Sequence, residues 1–319
     1  MNKKFDIVAL GELNIDLILN RIEGFPEIGK EILADDCVMT LGSSTAIFAA
    51  NAASLGCDVA FLGMVGNDDF GQFISKALSS RGVDTSMLIK SDQDKSGITV
   101  VMNYDQDRAN VTYPGAMSRM GFEQISKADF TQTRHVHISS LFLQSQLQKD
   151  IVKVLKYIKH SGATISLDTQ WDPSEKWNVD FREILPLIDI FMPNEQELMA
   201  LTHMSSLGEA ISAVSGLINA MVVKCGSKGS VMITRGGNSR MIPALLNDSP
   251  IDCIGAGDSF NAGFVSAFVH GESLENCQDM GNLTGAISTT AAGGTGSFSS
   301  VDSIDKAASS FGKEIKLFK

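Results

Sequence analysis

Short apolar runs and amphipathic segments alternate along much of the chain. The apolar runs are rich in β-branched residues, and most end in Gly, Asn, Asp or Ser, which is typical of buried strands; they are FDIVALG, VAFLGMVG, HVHISSL, ATISLDT, IDIFMPN and AMVVKCG. Apolar residues at helical spacing predict helices at 45–55, 70–81, 147–161 and 195–202. This βαβ rhythm predicts an α/β fold with a doubly wound, mostly parallel sheet and helices on both of its faces. Ligands of such sheets bind at the carboxyl ends of the strands.

Two segments, 13–41 and 96–115, break this rhythm. Both are typical of hairpin strands with polar turns and contain no helical pattern. We expect them to pair into a small β-sheet that covers the site as a lid, with 1–12, 42–95 and 116–319 forming the core. Separate decorations on the surface of the core are the alternative. The exposed edge of a lid sheet is suited to pairing with a second subunit, so we expect a homodimer formed through the lid.

Composition narrows the class of protein. The chain has 319 residues, of which 44% are hydrophobic and 20% charged, as in an ordinary globular protein. Its net charge of −11 argues against binding to nucleic acid or to an anionic membrane surface. Five scattered cysteines without C-x-x-C spacing indicate neither disulfides nor a zinc site. Asp6, Glu12 and Asp16 interrupt the apolar start of the chain, and no apolar run reaches the ~20 residues of a membrane span, so we expect a cytoplasmic protein.

The stretch PIDCIGAGDSFNAGFVSAF, residues 250–268, places a carboxylate where a helix begins. Gly255 and Gly257 bracket Ala256, Asp258 follows at once, and apolar residues then recur at helical spacing. In one interpretation, Asp258 or Ser259 caps the helix. In the other, the glycines let a ligand phosphate reach the backbone N–H groups at the helix start, and Asp258 takes part in the chemistry.

The sequence DCIGAGDSFNAGF resembles the C-terminal signature of the ribokinase-like sugar kinases, the PfkB family. Four further motifs stand in the order and at the spacing of that family: GELNIDLIL, LGSSTAIFAANAASLGCDVAFLGMVGNDDFG, MPNEQE and VVKCGSKGSV. The resemblance therefore extends over essentially the whole chain. It implies a split lid, ATP and Mg²⁺ as cofactors, and a small sugar or sugar derivative as the molecule that is bound.

The same resemblance implies roles at the catalytic and acceptor sites. Asp258 would act as general base on the acceptor hydroxyl, and residues 255–257 would form the backbone anion hole for the γ-phosphate. Asn14 and Asp16, two positions apart on an extended segment, would together hold a pair of vicinal hydroxyls, unless they form an ordinary polar turn. Asp168 ends a strand and would border the phosphate path, with a turn or helix cap as an equal alternative.

Metal and nucleotide residues are implied in the same way. Asn194 and Glu197 match the N-x-x-E element that organises Mg²⁺ through its waters, and the same pair would form a capping box. Four residues fall where the family lines its nucleotide site: Lys224, Gly226, Gly229 and Asn282. For Asn282, a plain helix surface is an equal alternative.

Departures from the family pattern bear on the acceptor and on a monovalent cation. Where the first signature has Gly-Gly and then an Asn that touches the acceptor, this chain has Gly42, Ser43 and, counting back from the later glycine of the motif, Ile47. Loss of that amide should alter the choice of substrate and puts ribose in doubt. Asp252 lies where relatives bind K⁺. The neighbouring Cys253 replaces a common Thr, and a thiol is a poor ligand for a hard cation. Whether K⁺ is a further cofactor is therefore left open.

We therefore expect ATP-dependent phosphorylation of a hydroxyl of a small sugar or sugar derivative by in-line transfer. A nucleoside kinase is one alternative, in which Ile47 and Phe48 would provide an apolar slot for a base. A 2-keto-3-deoxygluconate kinase is another, in which Arg108 would bind the carboxylate. From a different class, the chain could be a catalytically silent sugar-binding or regulatory protein, although its intact G-A-G-D argues against this. The frequent phosphate-side Arg of the family is not matched, because DTQWDPSEKW carries Gln170, Trp171 and Asp172 there.

Overall fold

The computed structural model describes residues 3–104 and 107–318. The strands in these residues are β1 (Phe5–Leu10), β2 (Asn14–Ile22), β3 (Ala34–Leu41), β4 (Val59–Leu62), β5 (Met64–Gly66), β6 (Ile89–Ser91), β7 (Gly97–Tyr104), β8 (Asp107–Tyr113), β9 (Thr133–Ser139), β10 (Thr164–Asp168), β11 (Ile190–Phe191), β12 (Ala220–Lys224), β13 (Ser230–Thr234) and β14 (Ser239–Ile242). The α-helices are α1 (Ser44–Ser54), α2 (Asp69–Ser80), α3 (Phe122–Ile125), α4 (Ser145–His160), α5 (Phe181–Ile184), α6 (Glu195–Thr202), α7 (Leu207–Val214), α8 (Ala256–Val269), α9 (Leu274–Ser288) and α10 (Val301–Ser310).

Eight strands form the main sheet, in the order β14-β13-β12-β11-β10-β9-β1-β4. The pairs from β4 through β12 are parallel, and β13 and β14 add an antiparallel edge. The apolar runs found in the sequence supply the central strands, because strands covered on both faces need apolar residues at every position. The prediction of a doubly wound, mostly parallel sheet is confirmed.

Two apolar cores lie on the two faces of this sheet. In β1, Ile7 and Ala9 belong to one core, whereas Val8 and Leu10 belong to the other, and all four are completely buried. Adjacent strand residues point to opposite faces, so one short strand serves both cores. Helices α1, α2, α8, α9 and α10 supply residues to the first core, and α4 to α7 supply residues to the second. The helices that alternate with the strands along the chain therefore cover both faces of the main sheet.

A separate four-stranded sheet has the order β3-β2-β7-β8. Its hairpins β2–β3 and β7–β8 are antiparallel, and β2 pairs with β7 in parallel. These strands come from the two segments that break the βαβ rhythm. Residues 105 and 106 of the expected lid range, and residues 1, 2 and 319 of the expected core ranges, lie outside the described residues.

The chain passes between the two sheets through short connections. Three residues, 11–13, separate β1 from β2, and two residues, 42 and 43, separate β3 from α1. Pro114 alone separates β8 from a single 3₁₀ turn that starts at Gly115 in the core. The polar residues at these crossings are therefore held close to the carboxyl edge of the main sheet.

No helix in the described part of the chain combines the length and apolar character that a membrane span requires.

Candidate active site

Helix α8 begins without a side-chain cap. Its N-cap residue Gly255 has a φ of 71° and makes no side-chain hydrogen bond to the first turn. A Cβ at this position would lie 2.7 Å from the Cα of Gly294, so a side chain does not fit here. Among the described residues, the backbone N–H groups of Gly257 and Asp258 donate to no acceptor. The capping interpretation is therefore wrong for this helix, and its first turn presents free N–H groups that suit an anion.

The Asp258 carboxylate lies beside these N–H groups and is linked to a second carboxylate. Only 6% of the Asp258 surface is exposed, and its Oδ1 accepts a hydrogen bond from Gln170 Nε2 at 3.0 Å. The same nitrogen donates to Asp168 Oδ2 at 3.2 Å. One amide therefore joins two buried carboxylates at the carboxyl edge of the sheet.

Asp168, the last residue of β10, is completely buried and pairs with a buried lysine. Lys224 Nζ donates to Asp168 Oδ2 at 2.5 Å, and Asn261 Nδ2 donates to the same oxygen at 2.6 Å. A Cβ built on Gly257 would lie 3.6 Å from Lys224 Nζ, so the ammonium group also borders the start of α8. The turn alternative for Asp168 holds as well, because its Oδ1 accepts from the backbone N–H of Gln170 at 3.3 Å. A positive charge beside free helical N–H groups is an arrangement that binds phosphate.

Negative charge exceeds positive charge in this buried cluster. Burial raises the pKa of Asp258 well above its usual range, and the charge of Asp168 raises it further, while Lys224 lowers it. Burial lowers the pKa of Lys224, but the charges of Asp168 and Glu197 more than offset this, so its pKa is raised. Glu12 also raises the pKa of Asp258. A bound cation would relieve this excess of carboxylates.

The Asn194–Glu197 pair forms a capping box at the start of α6. Asn194 Oδ1 accepts from the backbone N–H of Glu197 at 2.8 Å, and Glu197 Oε2 accepts from the backbone N–H of Asn194 at 2.9 Å. Glu197 Oε1 accepts no hydrogen bond within residues 3–104 and 107–318. Burial raises the pKa of Glu197 to about 7, with Asp168 raising it and Lys224 lowering it.

A divalent cation fits this donor set. Glu197 is a buried carboxylate with one oxygen that accepts no hydrogen bond among the described residues, and burial raises its pKa. In the described ranges, no group of three or more His, Cys, Asp or Glu side chains is placed to hold a metal ion directly. Mg²⁺ keeps several of its waters and is often bound through one or two carboxylates, so a water-bridged ion fits a carboxylate of this kind.

The predicted acceptor residues meet on the second sheet. Asn14 and Asp16 are on the same face of β2, and Asn14 Nδ2 donates to Asp16 Oδ1 at 2.8 Å and to Thr99 Oγ1 at 3.0 Å. A Cβ on Gly42 would clash with both side chains, so the glycine leaves room for them. Burial raises the pKa of Asp16, whereas the hydrogen bond from Asn14 and the charge of Arg108 lower it. Arg108 is exposed on β8 of the same sheet.

Helix α1 connects this group to the start of α8. Ser43 is the N-cap residue of α1, and Ile47 lies one turn later, about 6 Å further along the helix axis. The half-buried Ile47 side chain packs against α8, where a Cβ on Gly255 would lie 3.1 Å from Ile47 Cγ2. One turn of α1 therefore connects the residues next to the Asn14–Asp16 pair with the start of α8.

Phe48 does not line this space. It is completely buried, and its ring stacks on His137 with 3.8 Å between the ring centroids. The interpretation of Ile47 and Phe48 as a joint slot for a base is therefore wrong for Phe48. The next residue on a helix is turned by about 100°, so Phe48 points into the core while Ile47 points towards α8.

The predicted nucleotide residues line one cavity of about 320 Å³. Its walls include Lys224, Gly226, Gly229 and Asn282 together with the apolar side chains of Leu245, Phe260 and Ala286. Gly257 also lines it, so the cavity opens onto the start of α8. Asn282 Nδ2 donates to the carbonyl of Pro243 at 3.4 Å, which places this amide at the cavity wall and not on a plain helix surface.

Asp252 ties two loops together. Its Oδ1 accepts from the N–H of Ile254 at 2.8 Å, and its Oδ2 accepts from the N–H of Gly293 at 2.9 Å. Cys253 is exposed and lines the nucleotide cavity. These contacts give Asp252 a structural role and leave the K⁺ expectation untested.

Sequence reasoning missed two side chains of the cluster. Asn261 lies three residues after Asp258, and this spacing on one helix face was the signal that could have found it. Gln170 was noted only because it stands near the position of an expected Arg. No sequence signal indicates that its amide reaches two carboxylates, because one of them is 88 residues away along the chain.

Comparisons with known proteins identify the family of this chain. The model of the pfkB family carbohydrate kinases matches residues 4–300. The chain is 28% identical to a ribokinase from Haemophilus influenzae over 294 residues, which are 90% of this chain and 93% of that protein. It is 27% identical to a 5-dehydro-2-deoxygluconokinase from Lacticaseibacillus casei over 302 residues, 90% of each protein. The solved structure of Arabidopsis thaliana ribokinase complexed with ribose and ATP superposes with a TM-score of 0.81 at 25% identity, covering 96% of this chain and 98% of that one.

The family match spans both sheets and every cluster described above. Its kinase relatives cover nine tenths of this chain, so the likeness is not confined to one motif. The chain belongs to the pfkB family of carbohydrate kinases and is a sugar phosphotransferase.

Proposed function

We propose that this kinase transfers the γ-phosphoryl group of ATP to a hydroxyl of a small sugar or sugar derivative by in-line displacement. Asp258 is the general base, and the backbone of residues 255–257 is the anion hole. The observation that carries this proposal is the uncapped start of α8, where free N–H groups lie beside a buried carboxylate and the Lys224 ammonium group.

The raised pKa of Asp258 supports its role as base. The carboxylate takes the proton of the acceptor O–H while that oxygen attacks the γ-phosphorus, and the bond from phosphorus to the β,γ-bridging oxygen breaks as ADP leaves. Burial and the charge of Asp168 raise the pKa of Asp258, which makes its ionised form a stronger base. The N–H groups of α8 and the Lys224 ammonium group stabilise the charge on the transferred phosphoryl oxygens.

Mg²⁺ held through water near Asn194 and Glu197 would neutralise charge on the phosphates of the nucleotide. ATP would occupy the 320 Å³ cavity, with its phosphates directed at Gly257 and its base towards Asn282. This direction follows from the free backbone N–H group of Gly257 and the ammonium group of Lys224, which line the cavity and suit phosphate.

The acceptor would bind between the second sheet and α8. Asn14 and Asp16 offer an amide and a carboxylate side by side, a pair that suits two vicinal hydroxyls. The relatives named above include a ribokinase and a 5-dehydro-2-deoxygluconokinase, so both a neutral sugar and a sugar acid are candidate acceptors. Arg108 lies close enough to Asp16 for its charge to act on that carboxyl, and this favours a sugar acid as the second candidate.

The second sheet would act as the lid over this site. Its edge strands β3 and β8 carry exposed apolar side chains, which suit a homodimer formed through the lid; they are Val38, Met39, Val111 and Tyr113.

The test is a coupled ADP-release assay on a panel of acceptors. The panel contains ribose, fructose, adenosine, 2-keto-3-deoxygluconate and 5-dehydro-2-deoxygluconate, each with Mg·ATP. Asp258→Asn should lower kcat by about two to four orders of magnitude and leave ATP binding intact. Asp305→Asn, the same change at an exposed position on α10 that does not line the nucleotide cavity, is the matched control and should keep wild-type rates.

The outcome separates the proposed roles. Wild-type turnover by Asp258→Asn would remove this residue from the mechanism. Nucleotide binding without ADP release on any panel acceptor would favour a sugar-binding or regulatory protein. A preference for the two keto acids that is lost in Arg108→Ala would identify the sugar acid as the acceptor class.

A further inference from the structure

The loop that follows β10 has an unusual concentration of left-handed backbone. Gln170, Glu175 and Trp177 have φ values of 58°, 55° and 49°, and none of them is glycine. Such residues cost free energy and persist only where their surroundings hold them. Residues with such backbone conformations cluster at functional sites, and this loop lies at the carboxyl end of β10 beside the buried cluster.

Asp172 fixes the conformation of this loop. It is 3% exposed, and its carboxylate accepts from the backbone N–H of Ser174 at 2.8 Å and of Trp177 at 2.7 Å. The Trp177 ring packs edge-on against Trp171 and Phe142, with centroids 5.0 and 5.2 Å away. Asp172 stands in the segment where an Arg is frequent in the family, but here its charge is used by the loop's own backbone.

The residue that this loop presents to the site is Gln170. A side-chain amide nitrogen has two hydrogens, and here one goes to Asp258 Oδ1 at 3.0 Å and the other to Asp168 Oδ2 at 3.2 Å. The backbone N–H of Gln170 donates to Asp168 Oδ1 at 3.3 Å, which anchors the residue at its base. Among the described residues, this amide is the only side-chain hydrogen-bond donor to Asp258.

We propose that Gln170 is a positioning residue for phosphoryl transfer, whose amide orients the Asp258 carboxylate and couples it to the Asp168–Lys224 pair. This inference rests on the proposed role of Asp258 as base. With Oδ1 held by the amide, Oδ2 is the oxygen that receives the proton of the acceptor. Because the amide is neutral, it stabilises the ionised carboxylate without adding charge to the cluster.

The effect of this donor is distinguishable from that of the surrounding charges. The charged groups that face Asp258 are Asp168 at the end of β10, Lys224 at the end of β12, Glu12 after β1 and Glu197 on α6. A donor to a carboxylate favours its ionised form, so losing the amide should raise the pH at which Asp258 loses its proton. The structure therefore predicts a pH signature for Gln170 that a merely structural residue would not have.

Gln170→Met is the main test, because Met keeps the length and volume of the side chain and removes both donors. In the panel assay with the best acceptor, the acid limb of the kcat/KM profile should move up by about one pH unit. We also expect kcat to fall by about tenfold while KM for ATP stays unchanged. Gln132→Met, at an exposed position remote from the cluster, is the matched control and should leave both quantities at wild-type values.

A second measurement needs no acceptor. In protein labelled with carbon-13 at the aspartate carboxyl groups, the NMR signal that Asp258→Asn removes reports the titration of Asp258. Its midpoint should rise by about one unit in Gln170→Met. Gln170→Asn is the alternative variant if Gln170→Met does not fold, because Asn tolerates the left-handed backbone. The Asn side chain is too short to reach both carboxylates, so the titration midpoint of Asp258 should lie between those of the wild type and Gln170→Met.

Unchanged midpoints and unchanged pH profiles in these variants would overturn the inference and leave Gln170 with a structural role only. Full activity of Asp258→Asn is a different result, because it would refute the proposed base. The two failures are therefore read from different variants.

Discussion

The pair formed by Lys224 and Asp168 provides a sharp test of how the buried cluster is balanced. Replacing Lys224 by Met removes the ammonium group and keeps an unbranched side chain of similar length, so the surrounding packing is retained. The wild-type Lys224 side chain is 12% exposed and that of Asp168 is 0% exposed, so solvent cannot replace the lost charge. The substitution therefore leaves a buried carboxylate without its cation.

The expected cost can be estimated from the contacts that survive. Removing one partner of a buried ion pair costs about 3–5 kcal/mol. Asn261 and Gln170 still donate hydrogen bonds to Asp168, so we expect about 3 kcal/mol, at the low end of that range.

Urea unfolding at neutral pH measures this cost in free energy of unfolding. The wild type, Lys224→Met, Asp168→Asn and the double variant form a double-mutant cycle, and the double variant should be more stable than Lys224→Met alone. Lys224→Arg keeps the positive charge and is the matched control. A loss below about 1 kcal/mol, or an equal loss with and without Asp168, would refute the view that this pair holds the cluster together.

Three further substitutions probe the metal and acceptor residues. Glu197→Gln should raise the Mg²⁺ concentration for half-maximal rate more than it raises KM for the acceptor, and the reverse pattern would move Glu197 to the acceptor pocket. Because the pKa of Glu197 is raised from 4.5 to about 7, the wild type should lose stability as the pH rises between these values. Glu197→Gln should flatten that part of the curve of stability against pH. Identical curves for the two proteins would contradict the raised pKa. Ile47→Asn should change the kcat/KM ratio of ribose to the best other acceptor by roughly 1–3 kcal/mol in favour of ribose, about 5- to 150-fold, whereas Asp16→Ala should weaken both alike. Lower stability without a change in that ratio would show that Ile47 only packs against α8.

The elements of this fold were predictable because their signals are local. The helices expected at 70–81 and 195–202 are observed at Asp69–Ser80 and Glu195–Thr202, since apolar periodicity and capping residues lie within each segment. The candidate base was predictable for the same reason, as Gly255, Gly257 and Asp258 occur within four residues.

The partners of these residues were not predictable, because they depend on how distant segments pack. Asp168 was expected to border the phosphate path, but no residue near it in the sequence indicates that it contacts Lys224 and Asn261. Phe48 and Ile47 are neighbours in the chain, yet one enters the core and the other packs against α8. The direction of a helical side chain depends on which face the fold buries, and a single short motif does not contain that information.

The short connections between the two sheets restrict how the second sheet can move. Residues 11–13, residues 42 and 43, residues 92–96 and Pro114 are the connections, and all four are short, so we expect any movement of the second sheet to be a rotation about them. Asn14 and Asp16 lie on β2, directly after the first of these connections. Any molecule that bridges this pair to α8 would therefore also set the angle of the sheet. Binding of the sugar and rotation of the sheet would then be coupled. The affinity for the sugar would depend on the stiffness of the four connections as well as on the contacts that the sugar makes.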